Sequence, residues 1–422
     1  MIKQYFKQAF YMLKENRLVS VISIAGTAIS IAMVMSVVLI FQIQFASFSP
    51  EVNRDRMLYV DAGTEVRSDN GWSRGNMSVE AAKECFYTLK LPEAVSAYTS
   101  QSKPLSIPGK RMYKTYSIKY VDPGFWKIFS FRFLDGKPFT QADFDSAIPQ
   151  AVVSRTVAQK LYGTTEAVGK PVIIDLSTYT ICGVVEDVSR AADTAYGDVW
   201  TPYTTDRILL NNTSSENMSG AFSTCILAKS SNDFEPIRTE LLGQIARYNA
   251  TKKECQINFF HNPITRFDMA IGCIGQYKVE LKDFLAETGG LLLFLLLVPA
   301  LNLLGVTYSA VQKRRAEMGV RKAFGATFGV LIRQVLYENC LITLLGGVIG
   351  LILSFIMLFL CKEFLLKDSD TMLNGDMLFQ PLVFLAALLF SLLLNLLSAG
   401  IPAIRIARQQ IVSSLKDNEE YD

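Results

Sequence analysis

Histidine and charge are both scarce in this sequence of 422 residues. The one histidine, His261, precedes an Asn-Pro pair, a context typical of a turn. It gives no pattern expected of a catalytic base or a metal ligand. Charged residues make up 19% of the chain, against roughly 25% in soluble proteins. The shortage of histidine argues against histidine-based catalysis, and the shortage of charge favours a membrane protein.

Motifs for nucleotides, metals and thiol chemistry are missing as well. No G-x-x-x-x-G-K-[ST] phosphate loop occurs, and Gly136-Lys137 is followed by Pro138, so we do not expect this chain to bind ATP by that route. The seven cysteines form no C-x-x-C pair, which excludes the usual zinc and redox motifs. We therefore predict no catalytic residue, no metal site and no cofactor in this chain.

Four long stretches without a charged residue are present instead. Each exceeds the roughly 20 residues that a helix needs to cross a ~30 Å hydrocarbon core. The first follows basic residues, as a signal peptide would, but its apolar run is too long for a cleavable segment. We therefore predict an α-helical membrane protein with four transmembrane helices, the first of them an uncleaved anchor. The stretches are residues 18–49, 288–312, 339–361 and 377–404.

Basic residues are concentrated on one side of these spans. Lys and Arg are abundant before span one, between spans two and three, and after span four. The loop between spans three and four carries more acidic than basic residues. The positive-inside rule then places both termini in the cytoplasm. We predict a multi-pass protein of the cytoplasmic (inner) membrane, with the long region between spans one and two on the outside.

These assignments divide the chain into consecutive segments. The predicted order is a cytoplasmic amphipathic segment at 1–17, transmembrane helix 1 at 18–44, a large α+β extracytoplasmic domain at 45–285, transmembrane helix 2 at 286–310, a cytoplasmic loop at 311–333, transmembrane helix 3 at 334–361, a short external loop at 362–378, transmembrane helix 4 at 379–404 and a cytoplasmic tail at 405–422.

The external region alternates between helix and strand patterns. Residues 78–91 begin with a Ser N-cap and predict a helix. In residues 151–162 a strand runs into a helix, with Ser154 as N-cap and Gly163 as the stop. Residues 170–174 and 179–186 predict paired strands around a polar turn. A strand at 112–121, and a strand at 226–228 followed by a helix at 234–248, complete the mixed α+β pattern.

Two further features of this region bear on function. Its charges balance, with 27 Lys/Arg and 27 Asp/Glu, so it offers no basic face to nucleic acid. Five of the seven cysteines lie in it; we expect them to be buried thiols, with one disulfide as the alternative. The aromatic residues of 125–133 predict core packing, because each buried large apolar side chain stabilises a domain by roughly 1.5–3 kcal/mol.

Part of the external region resembles a known family. The run YVDPGFWKIFSFRFLDGKPFTQADFD at 120–145 is followed by AVVSRTVAQKLYG at 151–163, VGKPVIID at 168–175 and YTICGVVEDV at 179–188. In order and spacing these segments resemble the external core domain of MacB-type permeases. The resemblance implies an α+β domain inserted between transmembrane helices 1 and 2.

The loop between spans two and three carries a second resemblance. Glu317 and Arg321 are spaced as a supportive helical pair, and glycine is a poor choice for a helix that only needs charge. The segment resembles the RxxEIGIRKALGA motif of MacB/FtsX permeases, with Met318, Val320 and Phe324 as departures. The matching positions with a predicted coupling role are Arg314, Glu317, Gly319, Arg321, Lys322, Gly325 and Ala326.

The family resemblance implies partners and a function. It implies a permease subunit that couples ATP hydrolysis by a separate ABC ATPase subunit, which binds ATP and Mg²⁺, to motion of the external domain. The predicted task is export of a compound, peptide or lipoprotein. A second permease copy, as homodimer or related heterodimer, is expected, together with a periplasmic or outer-membrane partner. The C-terminal sequence at 401–416 resembles the family ending, with Ile411 in place of its second proline.

Alternatives stay open at this point. The protein could instead be a transmembrane relay that controls a cell-wall hydrolase, or a membrane-anchored binding protein, although the coupling motif argues against the latter. The basic loop could be a topology anchor attracted to anionic lipid. Two small-xxx-small patterns suit helix packing, either within one subunit or between two copies. They are Gly26 with Ser30, and Gly346 with Gly350.

Overall fold

The computed structural model describes residues 21–22, 24–29, 31–33, 35–36, 45–60, 64–68, 71–109, 114–214, 216–273, 278–286, 289–290, 324–325, 327–360, 385, 388–389 and 392–393. The chain divides into two compact units. One comprises Met1–Gln42, Leu285–Ser369 and Gly375–Asp422, and the other comprises Ile43–Phe284 with Asp370–Asn374. We call them the membrane unit and the external domain.

The described strands and helices are labelled in chain order. The strands are β1 (Met57–Val60), β2 (Thr64–Ser68), β3 (Gly71–Met77), β4 (Ala94–Ser106), β5 (Thr115–Val121), β6 (Phe133–Gly136), β7 (Gln150–Ser154), β8 (Pro171–Ile174), β9 (Ser177–Val185), β10 (Val199–Pro202), β11 (Ser219–Gly220), β12 (Ser223–Leu227), β13 (Cys255–Asn258) and β14 (Ile264–Thr265). The helices are α1 (Val79–Cys85), α2 (Phe125–Ile128), α3 (Gln141–Asp145), α4 (Arg155–Tyr162), α5 (Arg207–Asn211), α6 (Phe234–Ala250), α7 (Arg266–Ala270) and α8 (Phe328–Leu360), with short 3-10 turns at Arg54–Arg56, Tyr203–Thr205 and Ser231–Asp233.

The first lobe of the external domain, residues 57–98 and 223–271, is a βαββαβ unit. Its strands pair antiparallel in the order β14-β1-β12-β4, and α1 packs beside α6. This is the arrangement of a ferredoxin-like sheet. A hairpin inserted between β1 and α1 forms a smaller sheet in the order β11-β3-β2-β13.

The second lobe, residues 99–222, is a ring of strands. Strand β4 continues into it and pairs with both β5 and β8. From β5 the pairing runs through β10, β7 and β9 and returns to β8, which closes the ring, and β6 adds to the outer side of β9. Trp200 and Tyr120 are fully buried in this lobe. Closure leaves few unpaired strand edges, which protects such a lobe from edge-to-edge association.

Local sequence rules account for many of these elements. The Ser78 side chain accepts a hydrogen bond from the Ala81 N–H and begins α1 as predicted, although the helix ends at Cys85, earlier than the pattern indicated. Ser154 caps α4, and Gly163 ends it with φ 72°. The predicted hairpin also forms, with β8 and β9 antiparallel. The predicted strand at 226–228 and helix at 234–248 are present as β12 and α6.

In the membrane unit, α8 is the one described helix long and apolar enough to cross a bilayer. Its most apolar window, Cys340–Met357, has a mean hydropathy of 2.5. The helix has 33 residues, so at 1.5 Å per residue it is about 50 Å long and exceeds a ~30 Å hydrocarbon core. It begins at Phe328, inside the segment predicted as the cytoplasmic loop. The second and fourth predicted spans lie mostly outside the described residues.

Candidate functional site

Two glycines of α8 lie against the short apolar helix Ile24–Met33, which falls in the first predicted span. A Cβ atom built on Gly350 would lie 2.8 Å from the carbonyl oxygen of Ala28 and 2.9 Å from Cβ of Ile31. A Cβ on Gly346 would lie 2.8 Å from Cγ2 of Thr27. All three distances are too short for a real side chain, so glycine at these positions allows the two helices to approach closely.

The other small-residue pattern is only partly described. Gly26 lies on the first span and is half-buried, whereas Ser30 lies outside the described residues. Ala28 and Ile31, which face the α8 glycines, are almost fully buried, whereas Ile22 and Ile29 are more than half exposed. The described residues of the first predicted span therefore present one face to α8 and a different, apolar face away from it.

The coupling segment is described only at its end. Gly325 has φ +91° with no neighbouring atom within 4 Å of a built Cβ, and Phe324 beside it is 88% exposed. A φ of this sign favours glycine. The turn at Gly325 lies at the end of the predicted coupling segment, shortly before α8 begins at Phe328. The other predicted coupling residues, Arg314, Glu317, Gly319, Arg321, Lys322 and Ala326, lie outside the described residues.

The aromatic residues of 125–133 pack on one another, as predicted for a core. Phe125 and Phe129 are buried, with ring centroids 4.5 Å apart. Trp126 and Phe131 are half-buried and pack edge to face at 5.1 Å. Phe131 also contacts the buried Trp200. This stack fills the space between α2 and the ring of strands.

The five external cysteines form no disulfide with one another. Four of them are buried, and Cys182 is half-buried. Burial raises the pKa of the Cys85 thiol to about 12, with a smaller contribution from Glu84. The Cys182 pKa is raised to about 12, again chiefly by burial. Thiols with such pKa values are poor nucleophiles at neutral pH, which fits the predicted packing role.

A group of buried charges lies in the segment that leads into the external domain. The Arg54 Nε donates to Glu51 Oε2 at 2.6 Å, and the two side chains are 1% and 0% exposed. Arg54 also donates to the carbonyl oxygens of Ala46 at 2.9 Å and Ala191 at 2.6 Å, and its guanidinium lies 4.1 Å from the ring centroid of Phe48. Buried charges need such partners because desolvation is otherwise unfavourable.

A second ion pair lies beside the first. Arg266, at the start of α7, binds Asp193 at 2.8 Å. Burial lowers the pKa of Arg266, but the carboxylates of Asp193 and Glu51 outweigh it, so its pKa is raised. Burial raises the pKa of the nearby Tyr59 hydroxyl, and Glu51 raises it further. Glu51 is therefore hydrogen-bonded to Arg54 and also interacts electrostatically with Arg266.

Sequence reasoning did not identify this group of charges. Glu51 and Arg54 are spaced like many exposed pairs, and Asp193 and Arg266 are far away in the chain. A Glu and an Arg shortly after a predicted span were the only available signal, and this signal also fits an exposed loop. Pairing with residues 191–195 depends on the second lobe folding back beside residues 45–56.

Comparison with known families places both parts of the chain. Residues 20–243 match the family described as the MacB-like periplasmic core domain. Residues 289–411 match the FtsX-like permease C-terminal family. The first match covers more than half of the 422 residues, and the second covers most of the remaining membrane unit.

Similar proteins include permeases and exporters. An uncharacterized ABC transporter permease, YknZ, of Bacillus subtilis is 21% identical over 80% of this chain and 81% of its own length. The macrolide export ATP-binding/permease protein MacB of Chromobacterium violaceum is 23% identical over 98% of this chain. The chain spans 61% of that protein's length. The periplasmic region of MacB from Actinobacillus actinomycetemcomitans, a solved structure, gives a TM-score of 0.37 at 16% identity, over 52% of this chain and 92% of the other.

Proposed function

Because the chain belongs to the MacB/FtsX family of ABC transporter permeases, we propose that it is a permease subunit whose external domain is moved by a separate ABC ATPase. ATP and Mg²⁺ are bound by that ATPase, and a second permease copy completes the complex. The complex exports a compound, peptide or lipoprotein from the outer side of the inner membrane. Four transmembrane helices, with both termini in the cytoplasm, carry the motion across the bilayer.

One observation carries this proposal. A single chain matches both an external core domain and a permease C-terminal region, yet its sequence contains no phosphate loop. A permease without a nucleotide site needs energy from a partner, and the segment 314–326 is the part of the sequence suited to contact it. The related MacB is named as an ATP-binding/permease protein, which supports an ATPase as this partner.

The structural features fit a device that transmits motion. The first predicted span and α8 pack closely at Gly346 and Gly350. Because close-packed helices leave no gap between them, a displacement of α8 should also displace the first span. The left-handed turn at Gly325 joins α8 to the proposed coupling segment. After the first predicted span, the segment that leads into the external domain contains the buried Glu51–Arg54 pair.

The test is reconstitution with the ATPase that co-purifies with the tagged chain. We expect no ATP hydrolysis above background from the chain alone in nanodiscs, and ATP hydrolysis from the complex. An ATPase variant lacking its phosphate-loop lysine is the matched control and should abolish the activity. Hydrolysis that persists in a preparation free of other subunits would contradict the proposal.

A second arm separates export from regulation. Deletion of the gene for this chain should raise the intracellular retention of an exported compound or peptide. The cells should also become more sensitive to that compound or peptide. The alternative relay, which switches a cell-wall hydrolase, predicts instead a change in hydrolase activity with unchanged export. The size of the external domain and its MacB-like core favour export, since the regulatory relatives are expected to have smaller inserts.

A further inference from the structure

The two lobes of the external domain have few covalent connections. Strand β4 passes from the first lobe into the second, and the chain returns through residues 220–223 into β12. Two chain crossings of this kind act as a hinge unless other contacts brace them. On one side, the pairing of β11 with β3 and the hydrogen bonds from Tyr87 and Ser96 to Asp122 join the lobes. On the other side, their relative position depends on side-chain contacts.

Such contacts exist where the chain enters the external domain. The second-lobe loop at 189–195 is held by three cations from other elements. Arg54 donates to the Ala191 carbonyl at 2.6 Å, Arg266 binds the Asp193 carboxylate at 2.8 Å, and Lys119 donates to the Asp193 carbonyl at 3.1 Å. Lys119 also donates to the Thr194 carbonyl.

One carboxylate binds the same loop from the entry segment. Glu51 Oε2 accepts from Arg54, and its Oε1 accepts the Ala195 N–H at 2.9 Å. The Ala195 carbonyl in turn accepts from the indole N–H of Trp200 at 3.1 Å, and Trp200 is fully buried in the second lobe. A hydrogen-bonded chain therefore runs from the entry segment into the core of the second lobe.

Further contacts hold the entry segment, residues 45–56, along its length. The Pro50 carbonyl accepts from the Ser130 N–H of the second lobe at 2.9 Å. The ring of Phe45 lies 5.8 Å from that of Phe267 on α7 of the first lobe. The entry segment is thus bound to both lobes. The Glu51–Arg54 contact is charged and buried, which makes it strong and directional.

We propose that Glu51, Arg54, Asp193 and Arg266 form a clasp that fixes the second lobe to the entry segment and to the first lobe. With the clasp closed, a displacement of the entry segment at the end of the first span moves both lobes as one body. With the clasp open, the entry segment moves while the second lobe lags behind at the β4 hinge. The role in transmission rests on the proposed function, whereas the clasp itself is a property of the external domain.

The test measures the distance between the lobes in the full-length protein. Spin labels are placed at Leu176, which is 94% exposed at the β8–β9 turn, and at Leu242, which is 64% exposed on α6, with the native cysteines replaced. Without nucleotide, we expect one narrow distance distribution for the otherwise unchanged protein. Arg54→Met should broaden it and add a second population. Arg54→Lys should broaden it less, because the positive charge beside Glu51 is kept, but not leave it unchanged, because one ammonium cannot reach all three acceptors.

Two variants keep the test informative if Arg54→Met fails to fold. Arg266→Gln removes a pair whose Asp193 side chain is 55% exposed, so it should broaden the distribution with little effect on the unfolding midpoint. Glu51→Gln combined with Arg54→Met leaves no unpaired buried charge. Lys103→Met is the matched control, because the Lys103–Asp206 pair at 3.1 Å lies wholly within the second lobe. It should leave the distribution narrow.

The outcomes separate the clasp from the proposed function. A distribution that stays narrow in folded Arg54→Met and Arg266→Gln proteins overturns the clasp. A second outcome is that the variants broaden the Leu176–Leu242 distribution while nucleotide leaves the label distances between the two permease copies in the ATPase complex unchanged. In that case the clasp stands and the proposed coupling fails. If both hold, Arg266→Gln should keep the ATP hydrolysis of the complex and reduce export, which a purely stabilising role would not do.

Discussion

The backbone carbonyl of Ala28 lies 2.8 Å from the position that a Cβ atom on Gly350 would occupy. The contact joins the first span to α8 within one chain. Because the obstacle is backbone, it cannot move aside as a side chain can, and the helices must separate to admit a methyl group.

Alanine substitutions at Gly350 and Gly347 of α8 should therefore have different effects. Gly350→Ala should destabilise the membrane unit by ~1–3 kcal/mol through overpacking. Gly347→Ala is the matched control, because the one close atom to its Cβ would be Cδ1 of Leu388 at 2.6 Å, the end of a flexible side chain, with Cδ1 of Ile31 at an ordinary 3.8 Å. The measurement is the temperature at which half of the detergent-purified protein stops being monodisperse. Equal temperatures for the two variants would show that the close contact is absent.

In the external domain, two glycines allow backbone strain at positive φ to be distinguished from steric overlap of an added Cβ atom. Gly136 and Gly169 have φ +68° and +82°, but only Gly136 has neighbours, with its built Cβ 2.2 Å from the Cys182 carbonyl oxygen. Gly169→Ala should lower the unfolding free energy by about 1 kcal/mol, because an alanine at positive φ is strained. Gly136→Ala should cost well above that, because β6 would be forced away from β9.

Tryptophan fluorescence can measure this in the full chain. All three tryptophans, Trp72, Trp126 and Trp200, lie in the external domain, so the signal reports its unfolding in urea. Similar midpoints for Gly136→Ala and Gly169→Ala would contradict the packing of β6 against β9.

The stability of the external domain should also depend on the protonation of Asp122. Burial raises the pKa of Asp122 above 3.8, against hydrogen bonds from Tyr87, Ser96 and two backbone N–H groups. The protonated carboxyl therefore contributes stability that is fully present below the unfolded pKa and is lost as pH rises through the folded pKa. Between pH 4 and pH 7, the unfolding free energy should fall relative to that of Asp122→Asn.

Asp206 provides a control of opposite sign. Burial raises its pKa, but the Leu209 N–H and Lys103 outweigh this, so the pKa is lowered. Its contribution to stability is present above the unfolded pKa and is lost as pH falls through the folded pKa. Relative to Asp206→Asn, the protein should therefore gain stability as pH rises from acid values. Urea unfolding at several pH values, followed by tryptophan fluorescence, measures both differences, and parallel trends for the two variants would contradict the assignment.

The coupling segment can be tested by two substitutions. Gly319→Leu should weaken binding of the ATPase because a larger side chain blocks close approach, although leucine is the better helix former. Arg321→Glu places two like charges at i and i+4 with Glu317. Loss of a buried interface anchor costs ~2 kcal/mol or more, about thirtyfold in affinity. The measurement is the amount of co-purified ATPase at equal membrane expression.

Arg408→Glu serves as the control for this experiment. It alters a basic residue of the predicted cytoplasmic tail outside the motif, so it should leave ATPase binding unchanged. If Gly319→Leu and Arg321→Glu also keep normal binding, the segment is only a charged anchor at the membrane surface.

The predicted orientation can be measured with an impermeant thiol reagent. In intact cells a cysteine at Leu176, which is 94% exposed, should be labelled, because it lies in the external domain. A cysteine at Gln312 should be labelled only after the membrane is opened, because the positive-inside rule places it in the cytoplasm. Labelling of Gln312 in intact cells would reverse the topology.

The sequence by itself determined the family, the mixed α+β character of the external domain and several of its local elements. Ser154, Gly163 and the polar turn before β9 act through nearby backbone groups, so their effects can be predicted from neighbouring residues alone. The long apolar stretch of α8 is likewise a local property of composition. The lengths of α1 and α8 were less well predicted, because helix ends depend on tertiary contacts.

Only the tertiary structure decided how distant parts of the chain meet. The closed ring of strands depends on β4 pairing with β8, and both have ordinary strand sequences. The approach of α8 to the first span at Gly350, and the pairing of Glu51 and Arg54 with the loop at 189–195, join residues far apart in the chain. The physical reason is that a charged residue or a glycine indicates only which kind of contact its position can make. Which residue makes that contact depends on how the whole domain packs.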